Sequence, residues 1–240
     1  MAHVEPNQPL RISKLALVEK CAPAGALPTV QDTGPDQERG TAIHAFLERA
    51  LLGGENDPSL YLDSEAPAAV QDWCRAIDLP SARATAIGGA SSWGTEVPLE
   101  APAGALGIRG TADVVAWLPD TVRVTDWKTG DGWKEAPEDS LQVQAYGYAA
   151  ARAAELTRVT VQTVPVRSNG GMMPLRAEFD QFDLSRIGAR LRSITGRVAA
   201  ARAAGELRRR NPGRRGRGTG DPGAQLNRRQ CSPRHIGSRG

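Results

Sequence analysis

The chain has 240 residues, of which 40% are hydrophobic and 24% are charged, which is enough for one large domain with a hydrophobic core. No run of about 18 apolar residues occurs, so no transmembrane helix and no membrane partner are expected, and the polar first ten residues are unlike a secretory signal. The three cysteines are odd in number and scattered along the chain, a pattern that favours a cytoplasmic location.

The net charge of +3 is distributed unevenly along the chain. Residues 206–240 contain ten arginines and two acidic residues, a balance of +8, and residues 1–205 carry a balance of −5. We therefore predict one folded domain over residues 1–205 and a disordered basic Arg/Gly/Pro-rich tail over residues 206–240. Two interpretations of the tail stay open: an arm that binds phosphates nonspecifically, or the product of a translated frameshift.

The first predicted elements are helices. Apolar spacing predicts helices over residues 11–21, 37–52 and 64–79. In the second of them, His44 and Glu48 lie four residues apart on a strip beside the buried stripe, where a histidine is most simply a surface or core residue. A strand is then predicted over residues 92–100, and its proline favours an edge position.

The next two predicted strands form a hairpin between Gly107 and Gly130. Two runs rich in β-branched and aromatic residues flank the segment Leu118-Pro119-Asp120-Thr121. The φ angle of Pro119 is fixed near −65°, which is incompatible with the first position of a tight two-residue hairpin turn. A four-residue loop built on a type I turn is therefore predicted.

This loop determines which residues of the two strands face each other. The predicted cross-strand pairs are Trp117 with Val122, Val115 with Val124, and Asp113 with Asp126. Lys128 shares their face, because side chains repeat every two residues along a strand. Two carboxylates directly opposite would lie about 5 Å apart and repel each other, unless a cation lay between them. The hairpin therefore predicts a metal site.

These three residues are suited to metal-assisted hydrolysis of a phosphodiester. Two carboxylates can bind one or two Mg²⁺ ions, which activate water and neutralise phosphate charge. A lysine beside the phosphate would orient the water or stabilise the transition state. The chain has four lysines against 26 arginines, which favours a requirement for a compact ammonium at Lys128. On these residues alone, an exposed Asp126–Lys128 pair beside an unrelated Asp113 stays open.

Helices and strands are also predicted in the rest of the chain. Residues 138–156 predict a helix that carries Gln142 and Tyr146 one turn apart, which alone would be a helix amide and a core tyrosine. Residues 158–167 and 172–179 predict two antiparallel strands. A long amphipathic helix follows, with Asp183 as its candidate N-cap, and is expected to end near residue 205.

Four segments in this order resemble the RecB-like branch of the PD-(D/E)XK nucleases, which includes the CRISPR-associated RecB-like exonucleases. They are R-G-T-A-I-H-A-F-L-E (39–48), G-I-R-G-T-A-D (107–113), V-T-D-W-K-T-G (124–130) and Q-V-Q-A-Y (142–146). They resemble, in turn, the family's first helix, its G-x-x-D strand, its D-x-K strand and its Q-x-x-x-Y helix. The likeness covers roughly residues 10–155, and four ordered motifs make it fairly specific.

The resemblance implies a fold, a function and a role for each matching residue. The implied fold is a restriction-endonuclease-like α/β domain with a mixed central sheet flanked by helices. The implied activity is a Mg²⁺- or Mn²⁺-dependent deoxyribonuclease that acts as an exonuclease on single-stranded or frayed DNA ends. The implied metal ligands are His44, Asp113 and Asp126; the implied catalytic residues are Asp113, Asp126 and Lys128; Gln142 and Tyr146 would line the nucleic-acid groove.

The cysteines depart from the family pattern. Many members close an iron–sulfur cluster with one early cysteine and three near the C-terminus. Cys21 stands at the early position, but only Cys231 lies near the end, and Cys74 falls in a predicted helix. We expect no cluster, because a four-cysteine cluster needs one more ligand than the chain contains.

Two other functions stay open beside the nuclease. One is a non-catalytic nucleic-acid-binding subunit that keeps the nuclease fold, and the other is a metal-dependent enzyme that acts on a different phosphate ester. The sequence contains no G-x-x-x-x-G-K-[ST] motif, so any unwinding of duplex DNA would require a partner helicase. Metal-dependent loss of labelled single-stranded DNA would separate the enzyme from the binding subunit.

Overall fold

The computed structural model describes residues 8–26, 34–132 and 135–210. The strands are β1 (Leu10–Arg11), β2 (Ser92–Ala103), β3 (Leu106–Trp117), β4 (Val122–Thr129), β5 (Val159–Val166) and β6 (Leu175–Phe179). The helices are α1 (Leu15–Lys20), α2 (Pro35–Gly53), α3 (Ala68–Ala76), α4 (Leu79–Ile87), α5 (Leu141–Ala153) and α6 (Gln181–Arg210). Short 3-10 helices cover Ile12–Lys14, Ala22–Ala26 and Pro58–Tyr61.

One mixed six-stranded sheet organises these elements. Strand β3 is antiparallel to β2 along most of its length and antiparallel to β4 near its carboxyl end, and it pairs in parallel with β1 near its start. Strand β5 is parallel to β4 and antiparallel to β6. Among the described residues, β2 pairs with β3 alone, as predicted for an edge strand.

Two hydrophobic clusters form on this sheet. The first joins the sheet to α1, α5 and α6, through buried residues such as Leu15, Ala149 and Leu191. The second joins it to α2, α3 and α4, through residues such as Phe46 and Leu79. The mixed central sheet flanked by helices that the sequence predicted is therefore confirmed, because helices pack against the sheet in both clusters.

The predicted register of the β3–β4 hairpin is confirmed in its loop-proximal half. Strand β3 ends at Trp117 and β4 begins at Val122, so the loop has the predicted four residues, and Trp117 pairs with Val122. The ladder ends at the pair Val114–Thr125, one pair before the two aspartates. The strands therefore separate at the position where the carboxylates lie.

Two helix starts differ from the expectations. The helix predicted over residues 64–79 is shorter, Ala68–Ala76, because the chain breaks at Ile77, and α4, which was not predicted, begins after Asp78. The side chain of Asp78 accepts a hydrogen bond from the backbone N–H of Ser81. For α6, Asp183 is not the N-cap: Asp180 Oδ1 accepts from the N–H groups of Phe182 (2.8 Å) and Asp183 (3.0 Å).

Helix α6 holds the N-terminal part of the chain against the domain. Arg202 is 7% exposed and donates to the carbonyl oxygens of Gln8 (2.7 Å) and Gly25 (3.1 and 3.2 Å). Arg190 donates to both carboxylate oxygens of Glu19 in α1, at 2.7 and 2.8 Å. These contacts bring together segments that are far apart in the sequence.

Helix α6 continues to Arg210, past the predicted end at residue 205. Residues 211–240, which make up most of the predicted tail, lie outside the described residues. Within the described ranges, each helix is too short or too polar to serve as a transmembrane span.

Candidate active site

Helix α2 places the first candidate residue, His44. The helix begins after Gly34, with Pro35 at its first position and Asp36 in its first turn, where proline and a negative charge both favour a helix start. It ends at Gly54, whose φ of 81° is a left-handed conformation that glycine adopts without strain. The buried stripe of this helix forms one hydrophobic cluster with α3, α4 and the strand residues Val114 and Trp127, and His44 follows the stripe residue Ile43.

A close approach between α2 and β4 brings His44 to the hairpin. A Cβ atom on Gly40 would lie 3.1 Å from Oγ1 of Thr129, so the absence of a side chain at this position allows the approach. One helical turn later, Nδ1 of His44 lies 3.4 Å from Oδ1 of Asp113. The two side chains are 29% and 16% exposed, so both are largely withdrawn from solvent.

Asp113 lies where β3 and β4 separate. Its Oδ2 atom accepts a hydrogen bond of 2.7 Å from the backbone N–H of Trp127. The backbone N–H of Trp127 is thus bonded to a side-chain carboxylate. In a β-ladder that continued past this point, it would be bonded to a backbone carbonyl. The other oxygen, Oδ1, faces His44.

Asp126 is buried, and Lys128 is its charged partner. The side chain of Asp126 is 6% exposed, and Nζ of Lys128 donates to Oδ1 at 3.0 Å. The same Nζ lies 2.9 Å from Oδ2, yet Oδ2 has no partner of acceptable hydrogen-bond geometry among the described residues, so the short distance is only an electrostatic contact. One buried carboxylate oxygen is therefore without a hydrogen bond.

The charges of these groups act on one another. Burial lowers the pKa of His44, but the negative charges of Asp113 and Asp126 raise it. The two aspartates outweigh burial, with Asp113 contributing most, so the pKa of His44 is raised. Burial raises the pKa of Asp126, and Lys128 opposes this shift while Asp113 adds to it. His44, both aspartates and Lys128 thus belong to one electrostatic cluster.

A cavity of about 570 Å³ is lined by His44 and Asp113 together with two glutamates, Glu48 and Glu96. Glu96 has a φ of 46°, a left-handed conformation that is strained for a residue with a side chain. Burial raises the pKa of Glu96, as do the charges of Asp113 and Glu48. No role was predicted for Glu96, because nothing in the strand pattern indicates its unusual backbone conformation.

Helix α5 contributes Tyr146 and Gln142, which lie one turn apart. Tyr146 is 5% exposed, and burial together with the charge of Asp126 raises its pKa to about 12. A hydrogen-bonding interaction with Gln142 opposes this shift. The charge of Asp113 also contributes to this shift, so Tyr146 shares the electrostatic environment of the two aspartates.

The donor set fits a hard divalent cation, although the ligands are not gathered as if around an ion. Among the described residues, no three His, Cys, Asp or Glu side chains are arranged to hold a metal. The unbonded oxygen of Asp126 is nevertheless the kind of buried acceptor that a cation satisfies. The 3.4 Å between His44 and Asp113 is long for a hydrogen bond and near the distance of about 3 Å between adjacent ligands of one octahedral ion with bonds of about 2.1 Å.

The cysteines occupy other places. Cys74 in α3 is a buried free thiol within the second hydrophobic cluster, and burial raises its pKa to about 11. Cys21 is buried at the end of α1. Cys231 lies outside the described residues.

Known proteins give the following likenesses. The family model of the PD-(D/E)XK nuclease superfamily matches residues 14–215. The fold is similar to that of a candidate exonuclease from Eubacterium rectale, with a TM-score of 0.52, 10% identity, and coverage of 92% of this chain and 93% of that chain. An alkaline exonuclease from Laribacter hongkongensis has a TM-score of 0.42 and 15% identity, over 86% and 95% of the two chains. No curated protein sequence matches the chain significantly.

Proposed function

The chain belongs to the PD-(D/E)XK nuclease superfamily, and from this membership we propose that it is a Mg²⁺- or Mn²⁺-dependent deoxyribonuclease. The observation that carries this proposal is the Asp126 carboxylate. It is buried, Nζ of Lys128 lies within 3.0 Å of both of its oxygens, and only one of these oxygens accepts a hydrogen bond of acceptable geometry among the described residues. A buried, half-satisfied carboxylate is costly, and such costs are typical of functional sites.

Each residue of the cluster has a proposed role. Asp113 and Asp126 are the carboxylate metal ligands, and His44 is the third ligand through a neutral imidazole nitrogen. Trp127 supports this arrangement, since its N–H fixes the orientation of the Asp113 carboxylate. When bound, the cation would activate a water molecule and neutralise charge on the phosphate.

Lys128 is the proposed catalytic cation of the chain itself. Its side chain is 37% exposed, so Nζ can reach a phosphate oxygen while it stays beside Asp126. An ammonium there stabilises the negative charge that develops on the phosphate during hydrolysis. Gln142 and Tyr146, on the neighbouring face of α5, are proposed to line the groove that holds the DNA strand.

The finer assignments rest on the four ordered motifs. We propose that the chain is a RecB-like nuclease that acts as an exonuclease on single-stranded DNA or on frayed duplex ends, with a helicase or another DNA-processing protein as its partner. We also propose that residues 1–205 form the nuclease domain and that the basic segment 206–240 adds nonspecific attraction to phosphates.

The test is a cleavage assay with end-labelled single-stranded and duplex DNA, with Mg²⁺ or Mn²⁺ and then with excess EDTA. Metal-dependent loss of label from the wild-type protein, absent in Lys128→Met, supports the nuclease. Blunt duplex DNA is expected to be a poorer substrate than single-stranded DNA.

Retention of full-length DNA together with a gel shift would instead identify a non-catalytic binding subunit. The same outcome with both metals would contradict the proposed activity.

A further inference from the structure

A second cavity, of about 710 Å³, is larger than the cavity beside His44. Its polar lining includes Arg11, Ser13, Glu100 and Arg109, and Tyr146 forms part of its wall. Sequence motifs and the proposed nuclease function assign no role to the two arginines.

The sheet brings these two arginines together. Strand β1 pairs in parallel with β3, and Arg11 is the register partner of Arg109. Adjacent strands lie about 4.8 Å apart, so the two exposed arginine side chains project from the sheet side by side. Two like charges at this separation repel each other. Neither arginine has an ion-pair or hydrogen-bond partner among the described residues, although Glu100 is the register partner of Arg109 on its other side.

A phosphate group is the ligand that this pair fits. The guanidinium group is a planar fork of N–H donors that binds phosphate oxygens with two parallel hydrogen bonds. An anion between two such groups would also remove their mutual repulsion. The hydroxyl of Ser13, which is exposed in the same cavity, is a further donor.

The cavity lies along β3, the strand that also carries Asp113 of the candidate active site. A Cβ atom on Gly110 would lie 2.9 Å from Cε1 of Tyr146, so glycine at this position lets the ring pack directly on the strand. Arg109 precedes Asp113 by four residues on β3, which corresponds to about 14 Å along the strand. At about 3.4 Å per nucleotide in a stacked strand, this span is no more than about four nucleotides.

We propose that Arg11 and Arg109 form a phosphate-binding subsite that positions the substrate strand, within about four nucleotides of the bond that is cut. The proposal rests on the proposed nuclease function. It adds to that function two residues that bind the DNA strand at a phosphate other than the one that reacts. The phosphate is either an internal phosphodiester or a terminal monophosphate of the DNA. Both arginines are positioning residues and not catalytic ones, since they touch a phosphate that does not react.

The test compares Arg11→Ala/Arg109→Ala with the charge-matched control Arg75→Ala/Arg158→Ala in the full chain. The control arginines are exposed on α3 and before β5, outside this cavity. With a single-stranded oligonucleotide and Mn²⁺, the double variant should raise KM about 10- to 100-fold and leave kcat within about twofold, because the hydrogen bonds that it removes involve charged groups. Melting temperatures close to the wild-type value would show that both variants fold.

The test includes two further measurements: the salt dependence of the reaction, and a variant that removes a negative charge instead of positive charges. The slope of log(kcat/KM) against log[salt] should become shallower by about 0.7 for each phosphate of a single strand that the variant no longer neutralises. Glu100→Gln removes the carboxylate from the same cavity and should lower KM. Oligonucleotides with and without a terminal phosphate distinguish the two sources: a KM effect on both identifies an internal phosphodiester, and an effect only on the phosphorylated strand identifies the terminal group.

Unchanged KM and salt slope in Arg11→Ala/Arg109→Ala, with active wild-type enzyme, would overturn the subsite and leave the nuclease proposal intact. If the wild-type protein cleaves no DNA, binding of the same oligonucleotide is measured in EDTA by fluorescence anisotropy. Weaker binding by the double variant than by the control would then support the subsite although the nuclease proposal has failed, and equal binding would overturn both.

Discussion

The two aspartates of the hairpin come from adjacent strands but are stabilised by different groups. Asp113 is oriented by the backbone N–H of Trp127 and faces His44. Asp126 is more deeply buried and depends on Lys128 for its only hydrogen bond within the described residues. The energetic cost of the site is therefore concentrated on Asp126, and variants at this residue should show it.

Asp126→Asn should abolish cleavage and raise the melting temperature of the metal-free protein at neutral pH. Burial raises the pKa of Asp126 in the folded state, so the folded protein binds this proton more tightly than the unfolded chain does. The charged carboxylate therefore costs stability above the folded pKa, and this cost disappears as the pH falls below the unfolded value of about 3.9.

The measurements for this variant are thermal unfolding from pH 4 to pH 8 and cleavage of labelled DNA. The gain in melting temperature should shrink towards acid, activity should fall at least about 100-fold, and Mn²⁺ should stabilise the variant far less than the wild-type protein. Asp139→Asn, at an exposed position, is the control and should change neither property. A lower melting temperature for Asp126→Asn would show that Asp126 is structural.

Lys128→Met should destabilise the metal-free protein by about 1–3 kcal/mol, less than for a fully buried pair because the ammonium is partly exposed. The reason is that Asp126 would keep its charge without a partner. The double variant Asp126→Asn/Lys128→Met should recover most of this stability, which a double-mutant cycle in urea measures. Strictly additive effects of the two substitutions on stability would contradict the coupling.

Lys128→Arg should retain the stability of the wild-type protein but lose its activity, because the planar guanidinium group cannot replace the compact ammonium group.

At the scale of single residues, local sequence patterns predicted part of the site, whereas features that depend on long-range contacts were not predicted. The spacing of the hairpin loop predicted that Asp113, Asp126 and Lys128 would lie near one another, because strand register is a local property. No pattern predicted that the ladder would end before the aspartates, or that Glu96 would face them in a left-handed conformation. Single-sequence periodicity reports neither the point at which two strands separate nor the backbone conformation of one residue within a strand.

At the scale of elements, the same distinction separates correct predictions from wrong ones. Helix α2 was predicted within two residues because a Gly–Gly end follows a clear apolar stripe, and its start at Pro35 lies two residues before the predicted one. Helix α4 was missed although Asp78 is a good N-cap, since the alanine-rich helix has no strong amphipathic pattern. Strand β1 has two residues, too few for a periodic signal, so its pairing with β3 could not be predicted.

Two glycines inside helices give a matched test of packing between elements. Gly147→Ala in α5 should lower the melting temperature, because the new Cβ would lie 2.5 Å from Cγ1 of the buried Val161 on β5. Overpacking of this kind costs about 1–3 kcal/mol and exceeds the gain in helix propensity of about 1 kcal/mol. Gly196→Ala in α6 meets no atom within 4 Å and should raise the melting temperature by that propensity gain. Stabilisation by both substitutions would show that α5 can move away from the sheet.

At the scale of the whole molecule, the helices on one face of the sheet are joined by polar contacts as well as by their apolar cluster. The bidentate pair between Glu19 and Arg190 connects α1 to α6. This pair had no sequence signal, because its two residues are separated by most of the domain. The general architecture was predicted from the order of helices and strands and from the motif resemblance, and it is confirmed.

Glu19→Gln should lower the melting temperature near neutral pH by an amount that corresponds to less than about 1 kcal/mol. The hydrogen bond from Arg190 lowers the pKa of Glu19, so the ionised pair stabilises the fold above the unfolded pKa and its contribution disappears as the pH falls through the folded pKa. Unfolding curves of wild-type and variant protein should therefore converge in acid. Glu65→Gln, at an exposed position, is the control, and a pH-independent difference would contradict the ion-pair explanation.

The hydrogen bonds of Arg202 determine when the N-terminal segment can be held against the rest of the domain during synthesis. Its hydrogen bonds to Gln8 and Gly25 close the segment that carries Arg11, yet they form only after nearly all of the domain has left the ribosome. Nascent chains that end before this residue should leave β1 sensitive to protease, while chains that extend past it should protect β1. The segment that carries Arg11 is therefore fixed in place only when synthesis of the domain is almost complete.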